Sequence, residues 1–346
     1  MTVGGPATDG PLLLIIGHGT RDASGVAQFR QLIDLVRDRS AGWLPGVDGG
    51  FIELAAPPVG EVVTRLAGAR LAEGGAELVA VPLVLSAAGH GKGDIPAALA
   101  REQVRHPGLR YRYGRPLGPH PVLLDVLEAR IDAALGEQAL GEQALGEQAG
   151  DEQVRGRAPR AGTHVVLVGR GSTDPDGNAE VAKVARLLWE GRGYDDAGLS
   201  FVSLAEPSVP AALERARRLG AERIVVAPYF LFAGVLPDRV TAQAGAFAEQ
   251  HPGIDVRVAG LIGACDELAG LVLERYAEAL RGDIRMNCDT CAYRIAMPGF
   301  ADKVGQPQTP HHHPDDLAAL GAHDRGVHNH GVHSHGLHHH AHHEER

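Results

Sequence analysis

Two histidines stand out by their neighbours. His18 lies in Gly17-His18-Gly19 and His90 in Gly89-His90-Gly91, and each follows a run of apolar residues, Leu12 to Ile16 and Leu78 to Leu85. Apolar runs of this kind, without polar alternation, read as strands buried on both faces, as in parallel sheets. The carboxyl ends of such strands are where open α/β sheets place their ligands. Glycine on either side leaves space around the imidazole and a permissive backbone. Glu53, after Phe51-Ile52, is a third candidate. Two imidazoles and a carboxylate suit a borderline divalent cation such as Co2+, Fe2+, Ni2+ or Zn2+. Such a set leaves a coordination sphere incomplete, as a metal that must move to another ligand requires. Imidazole also accepts protons near neutral pH. The competing reading of a lone histidine is a hydrogen bond to its own loop.

The chain contains its own control, because its second half replays the first. His164-Val165-Val166-Leu167-Val168-Gly169-Arg170-Gly171 matches the opening strand and loop, Phe201 to Val209 matches Phe51 to Val59, and Arg223 to Leu231 matches the third strand with Pro228 in register with Pro82. His251-Pro252-Gly253-Ile254 repeats His106-Pro107-Gly108-Leu109. This is a duplication with a period of about 150 residues. In the second copy His18 is replaced by Arg170, Glu53 by Ser203 and His120 by Cys265, and the loop of His90 shortens to Ala233-Gly234-Val235-Leu236-Pro237-Asp238. Framework positions persist while the two strand-end histidines and the carboxylate do not, which favours a site role over a structural one. His106 and His251 sit in equivalent turns and read as structural; His120 reads as a helix cap.

The elements that must hold these residues follow from the apolar pattern. In the first copy helices are expected over 26–37, 61–71, 95–105 and 121–135, and strands over 12–16, 51–55, 78–85 and 109–113, with 42–50 as a Gly/Pro-rich loop. Strands alternating with helices predict an α/β fold with mainly parallel sheets of about four strands. Two tandem domains are expected, 11–135 and 161–282, joined by a low-complexity linker over 136–160 in which Ala-Leu-Gly-Glu-Gln recurs, and followed by a Cys-x-x-Cys segment over 283–304 and a disordered tail over 305–346.

Bulk composition narrows the function class. The chain has 346 residues and a formal net charge of −10, which argues against nucleic acid as a partner. No apolar run approaches the roughly 18 residues of a membrane span, and the first ten residues lack a signal-peptide pattern, so a cytoplasmic location is expected. Thirteen of the nineteen histidines lie between His311 and His343. Spaced through Gly-Val-His-Asn-His-Gly-Val-His-Ser-His, they read as a metal-buffering tract rather than a cloning tag.

The Gly-His-Gly-Thr-Arg-Asp opening, the Phe51-Ile52-Glu53 strand and the Gly89-His90-Gly91-Lys92-Gly93 loop resemble the class II chelatases of the CbiX/SirB type, over residues 11 to about 295. The resemblance implies two chelatase-like domains with a cleft between them, and insertion of Co2+ or Fe2+ into sirohydrochlorin with release of two protons. By matching motif, His18 and His90 are the metal-binding and proton-accepting pair and Glu53 a supporting acid, with only the first copy catalytic. The macrocycle is a polycarboxylate, so Arg21, Ser86, Lys92, Arg115 and Arg170 are expected to bind it. Met286-Asn287-Cys288-Asp289-Thr290-Cys291 resembles the Met-x-Cys-x-x-Cys motif of the longer members, where an iron–sulfur cluster is implied. Two thiolates fall short of the usual four. Either two chains share a cluster as a homodimer, or Cys288 and Cys291 form a redox pair or bind another metal. The long form favours cobalt; iron is the alternative, and a His-rich cobalt or nickel carrier without catalysis is the rival from another class.

Overall fold

The computed structural model describes residues 10–142 and 160–282, with Asp302 and Val304. Cys288, Cys291 and the His-rich tract lie outside the described residues. The first strand, β1 (Leu12–Gly17), is buried throughout, and its residues alternate between two cores: Leu13 and Ile15 point to one, Leu12, Leu14 and Ile16 to the other. It is central in a parallel sheet of order β2-β1-β3-β4, with β2 (Val47–Phe51), β3 (Ala76–Pro82) and β4 (Leu109–Tyr113). The second half builds the same sheet, β6-β5-β7-β8, from β5 (Thr163–Gly169), β6 (Asp196–Phe201), β7 (Arg223–Pro228) and β8 (Asp255–Val258). The α/β reading with two four-stranded parallel sheets is thereby established. So is the neighbourhood of the first and third strands, which brings the ends carrying His18 and His90 together at the point where strand order reverses.

The helices are α1 (Ala23–Ser40), α2 (Val59–Ala72), α3 (Ile95–Arg105) and α4 (Pro121–Glu142) in the first half, and α5 (Pro175–Trp189), α6 (Val209–Arg218), α7 (Val235–Gln250) and α8 (Asp266–Arg281) in the second. Asp22 starts α1 by accepting the amide hydrogens of Ser24 and Gly25 at 2.7 and 3.0 Å, which satisfies two donors that the helix itself leaves unbonded. His106 and His251 are the C-caps of α3 and α7.

One strand is displaced from its expected place. The segment 42–50 reads as loop because of its glycines, yet β2 occupies Val47–Phe51. A Cβ on Gly49 would lie 2.9 Å from Phe29 Cζ, and one on Gly50 2.7 Å from Val62 Cγ2. These glycines let α1 and α2 press directly on the sheet, so their absence of side chain is a packing device rather than a break. The expected linker also begins late, since α4 runs on to Glu142 through Gly136 and Gly141. Ala, Leu, Glu and Gln hold a helix despite a cost of roughly 1 kcal/mol per glycine.

The last helices of the two halves are exchanged. α8 packs beside α1 on β3 and β4 of the first sheet, and α4 packs beside α5 on β7 and β8 of the second. One apolar core, from Leu13 and Ile15 through Leu127 to Leu271 and Val272, runs through both halves. Reciprocal arginines fasten the exchange. Arg275, 1 % exposed, donates to the carbonyls of Pro116 and Leu117 at 3.1 and 2.7 Å, and Arg130 to those of Leu261 and Ile262 at 2.9 and 3.0 Å.

Arg115 joins this seam through a two-pronged pair with Glu278, at 2.8 and 2.7 Å. The hydrogen bonds from Arg115 hold the Glu278 carboxyl below its ordinary 4.5, against burial, with Arg275 assisting. A carboxyl depressed in the folded state stabilises above its unfolded value and loses that contribution as pH falls through the lower, folded value. The melting temperature is therefore expected to drop as pH falls below about 4.5. Glu278→Gln should melt lower at neutral pH, and its curve should converge on the parent curve in acid. Parallel curves by differential scanning calorimetry would contradict this.

Candidate active site

β1 ends at Gly17, and the chain turns through Gly19 at φ +107°. The turn is set by a neighbour: a Cβ on Gly19 would overlap the carbonyl oxygen of Glu53. Ile52 N and Glu53 N donate to the carbonyls of Gly17 and His18 at 3.0 and 3.1 Å, so the two loops lie along each other. This sets His18 Nε2 3.0 Å from Glu53 Oε1. His18 Nδ1 lies 3.0 Å from the Gly19 carbonyl oxygen, which can only accept, so Nδ1 carries a hydrogen. Nε2 thus faces the Glu53 carboxylate. The Glu53 side chain is 55 % exposed, which opens that contact to solvent.

His90 reaches the same point from β3. It begins a single π-helical turn, His90–Asp94, a wider winding that recurs at functional sites. Its ring centroid is 4.3 Å from that of His18, with the planes at 72°. Four residues on, Asp94 Oδ2 accepts from His90 Nδ1 at 2.6 Å, which assigns the hydrogen to Nδ1 and leaves Nε2 as the acceptor nitrogen. Burial pushes the Asp94 carboxyl upward, the Glu53 charge adds to this, and His18 and Arg101 oppose it. Asp94 was not singled out in the sequence; its signal is the His-x-x-x-Asp spacing, which places both residues on one side of a helical turn.

His18, His90 and Glu53 thus come together. Among the described residues, no group of three or more His, Cys, Asp or Glu side chains is arranged to hold a metal ion. Arg170, which replaces His18 in the second half, is brought into the electrostatic range of Glu53: burial pulls its guanidinium down and the Glu53 carboxylate draws it back up. Arg21 is exposed on the loop between His18 and α1. Lys92 and Arg115 are both engaged within the protein. The Lys92 ammonium, 3 % exposed, lies between two aspartates of the second half, and Arg115 is paired with Glu278. Ser86 faces α5, 3.6 Å from where a Cβ on Gly177 would stand. His120 lies 3.3 Å from Glu274 of α8.

The CbiX family model matches residues 12–134 and 164–279, one copy on each half. The chain belongs to the CbiX family. A sirohydrochlorin cobaltochelatase of Priestia megaterium is 35 % identical over 84 % of this chain and 87 % of its own length. A sirohydrochlorin ferrochelatase of the same organism is 27 % identical over 66 % of this chain and 76 % of its own. SirB from Bacillus subtilis, solved with Fe3+, shares the fold with a TM-score of 0.62 at 23 % identity, covering 80 % of this chain and 99 % of SirB. In this CbiX chain both family copies keep their backbone peculiarities: Leu54 and Leu204 at φ 62°, and cis peptides before Pro57 and Pro207. His18 and Glu53 of the first copy stand where the second has Arg170 and Ser203. No helix among the described residues is long and apolar enough to cross a membrane.

Proposed function

We propose that this chain is a sirohydrochlorin chelatase that inserts a divalent metal, Co2+ by preference, into the tetrapyrrole with release of two protons. The observation that carries the reading is the pairing of His18 and His90, rings 4.3 Å apart, beside Glu53 at the switch point of the first sheet. Insertion exchanges two pyrrole N–H hydrogens for one cation. His18 and His90 supply nitrogen donors of intermediate softness for that cation. Glu53, exposed and bonded to His18, is suited to receive a proton and pass it to solvent. Arg170 supplies a cation for a carboxylate of the macrocycle, and Arg21 a second at the loop.

The cobalt assignment rests on the 35 % identical cobaltochelatase, and iron is the second reading because ferrochelatases also match. The cytoplasm is the expected place of the reaction. An iron–sulfur cluster is a separate proposal, on Cys288 and Cys291, which lie outside the described residues. The deciding experiment follows anaerobic absorbance of sirohydrochlorin with the protein and Co2+ or Fe2+ in turn. Acceleration over the protein-free rate, larger with Co2+, is the expected result. Equal rates with and without protein would leave the His-rich metal carrier as the better account.

A further inference from the structure

The two halves grip each other through a matched pair of contacts. After β3, Ala87 N donates to Glu180 Oε2 of α5 at 2.6 Å. After β7, Ala233 N donates to Gln28 Oε1 of α1 at 2.7 Å. In each case the helix approaches the loop across a glycine. A Cβ on Gly177 would lie 2.8 Å from Ala88 Cβ, and one on Gly25 would overlap the Ala233 carbonyl oxygen. Asp174 and Asp22 cap the two helices at equivalent positions. Each half thus presents the first turns of one helix as a seat for the partner's strand-end loop.

The symmetry fails at one place, and that place is the loop of His90. Here Lys92, two residues after His90 on the π-helical turn, drives its ammonium into the seat, 2.9 Å from Asp174 Oδ2 and 2.9 Å from Asp176 Oδ2. The lysine side chain is 3 % exposed and the aspartates 8 % and 12 %. The second-half loop is shortened and sends no lysine into the seat of α1. A buried ion triad is a poor source of net stability, since desolvation offsets much of the attraction, but it fixes geometry because a displaced ammonium leaves two buried carboxylates uncompensated. Burial lowers the lysine, and the two aspartate hydrogen bonds more than reverse this, so it stays charged.

We propose that Lys92, clamped by Asp174 and Asp176, is a positioning residue that holds the His90 turn against His18, and that the second half is retained as the seat for this clamp. The inference rests on the chelatase reading, and it sets aside a substrate-binding role for Lys92. A buried latch and a substrate cation leave different kinetic traces. A cation on the macrocycle acts through KM for sirohydrochlorin; a latch acts on the chemical step and on the metal.

The test compares the full chain with Lys92→Met, and with Lys92→Met, Asp174→Asn and Asp176→Asn combined. The triple variant removes the whole triad, so no unpaired charge is left to unfold it. It is expected to melt within a few degrees of the parent and to keep KM for sirohydrochlorin, while kcat falls about tenfold or more and KM for Co2+ rises. Lys92→Arg, which keeps the charge between the aspartates, should recover part of the loss. Hydrogen exchange should quicken in the peptide carrying Ser86 to Asp94 and stay unchanged in that carrying Tyr229 to Asp238. A raised KM for sirohydrochlorin with kcat intact would overturn the latch, as would unaltered exchange at Ser86 to Asp94. If the parent itself inserts no metal, the chelatase reading fails, and the exchange comparison still decides the latch.

Discussion

His18→Ala and His90→Ala are each expected to lower kcat/KM for metal insertion about 10^3-fold, within the range of removing a general base or a metal donor. The two rings lie 4.3 Å apart and arrive from different strands, so neither substitution can be covered by rotation of the other. Asp94→Asn should cost less, about 10- to 100-fold, because the imidazole remains while the acceptor that fixes its Nδ1 hydrogen is weakened. Loss in all three variants must come with an unchanged fold. His18 is 28 % exposed and His90 15 %, so truncation opens no large cavity and melting temperatures should stay close to the parent. Initial rates by anaerobic absorbance at saturating Co2+, beside thermal melts, check this. A His90→Ala variant within tenfold of the parent would remove the histidine pair as the seat of the chemistry.

How much of this was legible in advance depends on how local the cause was. Strands that are apolar at every position, such as Leu12 to Ile16 and Leu78 to Val81, announce themselves, and their parallel pairing follows from the helices between them. The internal duplication supplied what a single copy cannot: it separated His18 and Glu53, which the second half drops, from His106, which it keeps as a helix cap. The strand at Val47–Phe51 was hidden because its glycines serve neighbours distant in sequence, Phe29, Ile33 and Val62. Helix exchange was hidden for the same reason, since nothing within α4 or α8 states which sheet it will cover.

The cations show the limit most clearly. Arg170 and Lys92 look alike in sequence, each a basic residue in a glycine-rich strand-end loop. One is coupled to Glu53; the other is sealed between Asp174 and Asp176. The difference lies in the packing of one half against the other, which has no expression in local sequence. Asp94 is the opposite case: its spacing from His90 was visible, and only the helical winding of the turn, known from the structure, gives that spacing its meaning.

Gly19→Ala and Gly171→Ala form the second large prediction, and they separate scaffold from site. Both glycines have positive φ, +107° and +87°, and in both a Cβ would overlap a carbonyl oxygen, that of Glu53 in one half and of Ser203 in the other. A backbone oxygen cannot swing aside as a side chain does, so the loops must separate. Strain at the disfavoured φ and the overlap together cost about 4 kcal/mol in each variant. The two should therefore lose similar amounts of stability in urea titrations. Their activities should differ. Gly19→Ala moves His18 relative to Glu53, whose 3.0 Å contact depends on that apposition, and insertion should fall well below what the folded fraction accounts for. Gly171→Ala disturbs Arg170 and Ser203, and its activity per folded molecule should drop far less, through KM for sirohydrochlorin. Equal losses per folded molecule would mean that the second half takes part in the chemistry itself, and the division between a catalytic and a supporting copy would have to be abandoned.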